Sequence, residues 1–386
     1  MRVQFGTIYF PIEWSPTDSM HHARYSHTAS VLANGKVLVI GGAIRDLLNT
    51  VELYDPSTNM WMDTSSMHDG RVYHTASVLM NGKILVTGGS DGDHLAKKSA
   101  ELYDPSTRIW TITGSMNQER TSHTATVLSN GKVLVTGGMD ANQAFLNNCE
   151  LYDPSTETWT TAAAMKHGRY HHTASVLPNK KVLVIGGMRN NTAAIDATEL
   201  YDPLTETWST KNNMIYARGT HTASTLVNGK VLVAGGFHND VALKSAELYD
   251  PSTDSWSVTN NMNYQRFFHT ASLLTNGKIL VTCGTRAPAE GLNITELYDP
   301  STETWTMSSR LSYGRFWHTA SVLKNGSVLV AGGFSNGVTT ETVEVYDPST
   351  ETHAPTDNMN DAHSSQNPFI LKNENIDLAF DNAELY

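Results

Sequence analysis

Seven copies of one motif run through this chain in register. From Arg24 it reads Arg-x-x-His-Thr-Ala-Ser-Val-Leu, then Asn-Gly-Lys, then Val-Leu-Val-x-Gly-Gly. A variable stretch follows, then Glu-Leu-Tyr-Asp-Pro-Ser-Thr, a Trp, and a Met six residues beyond it. The histidine recurs at His27, His74, His123, His172, His221, His269 and His318, with gaps of 47, 49, 49, 49, 48 and 49 residues. A period held that tightly means one structural unit stacked on copies of itself.

Each unit predicts four strands. His-Thr-Ala-Ser-Val-Leu is the first and Val-Leu-Val-x-Gly-Gly the second. The Asn-Gly between them predicts a two-residue type I′ hairpin turn, which needs positive φ at both central residues. Glu-Leu-Tyr-Asp is the third strand, and Asp-Pro-Ser-Thr turns the chain into a short, outermost Trp strand. Four antiparallel strands per unit form a propeller blade, and a ring of blades leaves no long open edge. The expected class is therefore all-β.

The doublet Gly41-Gly42, then Tyr54, then Trp61 in the first unit resembles the kelch repeat, and the resemblance extends over essentially the whole chain. With Arg24 and His27 these are the repeat positions expected to hold the blade together. Departures are few: Cys283-Gly284 replaces Gly-Gly in the sixth unit, and His353 replaces Trp in the seventh.

Residues 1–386 read as a single propeller domain. Trp14 and Met20 keep the Trp-to-Met spacing, so residues 1–23 supply a lone closing strand. Residues 24–359 hold the seven repeats. Met359 to Asn373 matches the 14-residue interval from Met67 to Asn81, so residues 360–386 read as a partial, degenerate repeat. Joined to the Trp14 strand, that fragment predicts eight blades. In the alternative, seven, the Trp14 strand closes the seventh blade and residues after Ser349 lie outside the ring.

Hydrophobic residues are 39% of the chain and charged residues 17%, enough apolar material for a packed core. The net charge of −11 and a pI near 5.8 argue against nucleic acid, which calls for a basic stripe. No apolar run is long enough to span a membrane, and the first residues lack the apolar stretch of a signal peptide. A soluble chain is expected, in an unassigned compartment, with no membrane partner. Cys149 and Cys283 lie in different repeats, too far apart to be bridged.

Comparing the seven copies separates frame from function. The Asn-Gly and Asp-Pro-Ser-Thr turns belong to one face and hardly vary. The connection after Gly-Gly belongs to the other and differs in every unit. The resemblance implies that this second face binds partners. Between the repeated Arg and His lie two variable residues, expected at the mouth of the central channel. They include Tyr73, Tyr170, His171, Phe267, Phe268, Phe316 and Trp317. Aromatic side chains at a concave mouth suit recognition; the competing expectation is that they pack between blades.

The repeated arginines admit two readings. Arg266 and Arg315, beside the densest aromatics, could grip a carboxylate, as the resemblance implies for one branch of the family. Sevenfold identity argues instead for pairing with the Glu of Glu-Leu-Tyr-Asp or with strand-end carbonyls. The seven histidines are too far apart to share a metal and are expected to be neutral and bonded to neighbouring backbone. No metal or cofactor is expected. The leading function is a non-enzymatic scaffold binding a protein or peptide, an acidic motif included, with a small molecule or glycan as a further option. Two alternatives stand beside it. One is a kelch-propeller enzyme, copper-radical oxidase-like or sugar-acting; the other is a self-assembling structural protein.

Overall fold

The computed structural model describes residues 14–350, apart from 93, 94 and 288. It contains seven four-stranded antiparallel sheets and, among the described residues, no α-helix. In blade 1, Thr28–Val31 pairs with Val37–Ile40, which pairs with Val51–Asp55, which pairs with Met60–Thr64. Blades 2 to 6 repeat this plan along the chain. Blade 7 takes Thr319–Val322, Val328–Ala331 and Val343–Tyr346, and its outermost strand is Trp14–Pro16, with Trp14 opposite Tyr346. The Trp14 strand thus completes the seventh blade, and the ring has seven blades, the alternative count. The fragment 360–386 behind the eight-blade count lies outside the described residues.

The second strand of each blade is buried along its whole length, because a blade is covered by a neighbour on both faces. Leu38 and Ile40 of blade 1 pack on Ile84 and Val86 of blade 2. Val37 and Val39 pack on Leu329 and Ala331 of blade 7, which closes the ring. Each repeated Trp stacks obliquely on the Tyr of its own blade, as Trp61 does on Tyr54. In blades 1 to 6 its indole N–H donates to a carbonyl just past the preceding outer strand: Trp61 to Asp18, Trp110 to Ser65.

The Asn-Gly turn departs from the two-residue form. Gly35 N–H bonds the Leu32 carbonyl and Leu32 N–H the Lys36 carbonyl, with only Gly35 at positive φ. That is a three-residue loop, a type I turn followed by a left-handed glycine. Asn34 Oδ1 accepts the Lys36 N–H at 3.0 Å, which holds the asparagine in the ordinary right-handed region. Among the described residues no helix is long and apolar enough to cross a membrane.

Candidate binding face at the channel mouth

The repeated arginine is consumed inside its blade. Arg266 is fully buried; Nη1 donates to the carbonyls of Cys283 (2.7 Å) and Ile294 (2.9 Å), and Nη2 to Glu296 (2.7 Å). Arg315 does the same with Gly332, Thr342 and Glu344, and Arg24 with Gly41, Thr50 and Glu52. Each glutamate is saturated from the other side: Glu296 also accepts the N–H groups of Asn263 and Tyr264. Burial pulls the Arg266 guanidinium below its ordinary range, and Glu296 partly offsets this. Arg266 and Arg315 are therefore held inside their blades and do not reach the mouth.

The histidines form a second closed circuit. His74 Nε2 lies 3.0 Å from Thr28 Oγ1 of the preceding blade, and the pattern continues round to His27 and Thr319. A side-chain hydroxyl one blade away thus joins the expected backbone partners, Arg71 and Ile40 for His74. Burial lowers these imidazoles, His74, His221 and His318 to about 3, so they stay neutral.

The two residues between Arg and His point different ways. The first makes an antiparallel bridge to the residue after Gly-Gly: Tyr170 to Met188, Phe267 to Thr285, Phe316 to Phe334. Tyr170, Phe267 and Phe316 are buried there, and Phe267 packs with Tyr170, Met139, Met188 and Phe237 under the connections. The second residue, at Ser26, Tyr73, Ser122, His171, Thr220, Phe268 and Trp317, has φ between 48° and 54° in every blade. Six backbone hydrogen bonds of 3.0–3.4 Å link these residues around the axis, each N–H donating to the carbonyl one blade back.

The left-handed turn sends the second side chain toward the axis, where rings from blades 2, 4, 6 and 7 meet. Tyr73 lies 6.2 Å from both His171 and Trp317, His171 lies 5.5 Å from Phe268, and Phe268 lies 5.2 Å from Trp317. This circuit of four rings, with the small residues Ser26, Ser122 and Thr220 set between them in blade order, roofs the channel. Trp317 is its keystone, stacked on Tyr25 and in contact with Phe316 and Phe334 as well. Of the aromatic candidates, then, Tyr73, His171, Phe268 and Trp317 form the half-buried mouth, while Tyr170, Phe267 and Phe316 support it from below. The alternation of small and large residues at the second position was the signal that could have separated them.

Above the mouth stand the variable connections. In blades 5 and 7 they form small ribbons, Phe237–His238 with Val241–Ala242 and Phe334–Ser335 with Val338–Thr339. Each tip bonds the preceding connection, Asn239 N–H to Thr192 and Asn336 N–H to Ala289. On the opposite face the short turns leave shallow clefts between blades, one lined by Asn34–Lys36, Asp55–Ser57 and Leu323–Asn325.

Both cysteines are buried thiols, and burial pushes each up to about 12. Cys149 packs with Tyr201 and Cys283 with Tyr346, tyrosines of the third strands. At blade 1, His21, Glu52 and Asp63 lie close enough together to share a cation, but Glu52 already holds Arg24 and the N–H groups of His21 and His22.

A family description, the KLHDC2/KLHL20/DRC7 Kelch-repeats domain, matches residues 12–166, 73–284 and 160–333, and the Kelch motif matches 318–360. No curated protein matches the chain. Among solved structures it is similar to a fungal alcohol oxidase of the AA5 family in complex with copper. There the identity is 20% and the TM-score 0.73, over 87% of this chain and 76% of that one. It is also similar to YjhT at 17% identity and TM-score 0.60, over 76% of this chain and 99% of that one. At these identities the likeness concerns the fold.

Proposed function

We propose that this chain, which belongs to the kelch-repeat family, is a non-enzymatic binding module that seats its ligand on the connection face, over the roofed channel mouth. One observation carries this reading. The Arg–Glu and His–Thr circuits repeat in all seven blades, whereas the residue just before the His varies from blade to blade and the connection after Gly-Gly differs in each. What repeats serves the frame; what differs, gathered on one face, is free to serve a ligand. Rigid aromatic side chains offer large contact area there at small conformational cost.

The copper-radical alternative needs a cysteine joined to a tyrosine, with tyrosine and histidine ligands at the channel. The thiols here sit inside interblade cores beside framework tyrosines, and the repeated histidines are tied to threonines. The described residues do not fit that donor set.

The test uses an array carrying both peptides and glycans, probed with the native chain and with Phe268→Ser/Trp317→Ser. Serine already occupies this left-handed position at Ser26 and Ser122, so the fold should persist. Spots bound by the native chain and lost by a variant of equal melting temperature support the reading. Spots bound equally by both overturn it.

A further inference from the structure

The mouth is aromatic, carries hydrogen-bonding groups, and has no permanent charge. Its seven inward residues are two serines, a threonine, a tyrosine, a histidine, a phenylalanine and a tryptophan. The guanidinium groups nearest in sequence, Arg266 and Arg315, are sealed in ion pairs. Among these seven residues a carboxylate or phosphate would therefore find no cation, and an ammonium no carboxylate, to make up for its lost water. Three polar atoms at the mouth are buried with no hydrogen-bond partner: Trp317 Nε1, Ser26 Oγ and Ser122 Oγ. They come from blades 7, 1 and 3, all from the set of seven inward residues. A buried donor left unpaired is costly, so a ligand that supplies partners gains that cost back.

We infer that the mouth takes an uncharged, polyhydroxylated ring, a neutral sugar unit of a glycan, stacked on Trp317 and bonded to the indole N–H and the serine hydroxyls. The inference rests on the connection face being the binding face. A sugar ring has an apolar face of C–H groups to lay on aromatic carbon. It also has hydroxyls at its rim that both donate and accept, which suits two serine hydroxyls and one indole donor. The shape agrees: four rings in mutual contact, 5.2–6.2 Å apart, make one compact aromatic platform rather than a groove, which suits stacking of a single ring better than an extended strand.

The experiment titrates neutral oligosaccharides of glucose, galactose, mannose and N-acetylglucosamine, and matched uronic acids, into the native chain, following tryptophan fluorescence and saturation-transfer NMR. At least one neutral series should bind at millimolar Kd or tighter, and its uronic acid at least about tenfold more weakly, since nothing replaces the carboxylate's lost water. Trp317→Phe keeps a ring but removes Nε1 and should weaken binding about 3- to 10-fold. Ser26→Ala/Ser122→Ala should do likewise, each variant at unchanged melting temperature. Failure of every neutral sugar overturns the inference, as does uronic-acid binding of equal strength, or indifference of the Trp317→Phe and double-serine variants. If array peptides bind the native chain and are lost in Phe268→Ser/Trp317→Ser while no sugar binds, the sugar assignment falls and the binding face stands.

Discussion

The sixth blade differs from the others at one buried contact, and that contact makes a quantitative prediction. In six blades the first glycine of the doublet sits at φ near +60°, where an added Cβ would come within 3.0–3.3 Å of the methyl carbon of the repeated Met that follows the Trp of the same blade. In blade 6 that glycine is Cys283, at φ 57°, so the Cβ is present. In the same place the Met is Leu311, and the two share one buried cluster. Leucine's side chain is one atom shorter than methionine's, and it vacates the space the cysteine fills. Leu311→Met alone should overpack the site and cost about 1–3 kcal/mol. Cys283→Gly alone relieves the left-handed strain but leaves a void and a freer unfolded chain, for a net cost of about 1–2 kcal/mol. The double variant rebuilds the arrangement of the other six blades, so its cost should fall short of the summed single costs by about 1–3 kcal/mol. Guanidinium unfolding of the four proteins, with the m-value held in common, measures the cycle. Additivity within about 0.5 kcal/mol would refute the pairing.

Trp14→Ala should cost about 3–5 kcal/mol, because Trp14 is buried against Tyr346 in the strand that completes blade 7; a cost under about 1 kcal/mol in chemical denaturation would contradict that closure. Glu296→Gln should cost about 3–5 kcal/mol by leaving the buried Arg266 without its counter-charge, and a variant as stable as the native chain in the same assay would dissolve the argument for the Arg–Glu circuit. Acid should unfold the chain steeply. Burial lowers the seven histidines, so below their ordinary value of 6.5 the unfolded chain binds protons that the folded chain refuses, and stability present above pH 6.5 is lost as pH falls. Each histidine contributes about 1.4 kcal/mol per pH unit well below 6.5; the seven together should give a fall on the order of 10 kcal/mol per unit near pH 5. A melting temperature flat from pH 7 to pH 5 would contradict the neutral circuit.

Much of the frame could be read from the sequence because every framework residue occurs seven times. Strand order, the paired roles of Arg and Glu, and the two faces all follow from positions that never change. What escaped depends on backbone twists that residue type does not announce. Phe268 and Trp317 are bulky side chains at positive φ, a conformation sequence reasoning reserves for glycine or asparagine. That twist is what turns them from Phe267 and Phe316 and sends one residue of each pair to the axis, the other beneath the connections. The Asn-Gly turn was misjudged by one residue because Asn34 caps its own loop. The blade count turned on which partner the Trp14 strand finds, a non-local pairing that spacing alone leaves open.

A crystallographic screen of small uncharged fragments, rich in hydroxylated and aromatic rings, tests the central claim without presuming the ligand. The account predicts that bound fragments gather at the mouth, on Trp317, Phe268 and Tyr73, with hydrogen bonds to Trp317 Nε1 or the hydroxyls of Ser26 and Ser122. Fragments that leave the mouth empty and collect on the opposite face, in clefts such as that between Asn34–Lys36 and Leu323–Asn325, would contradict it.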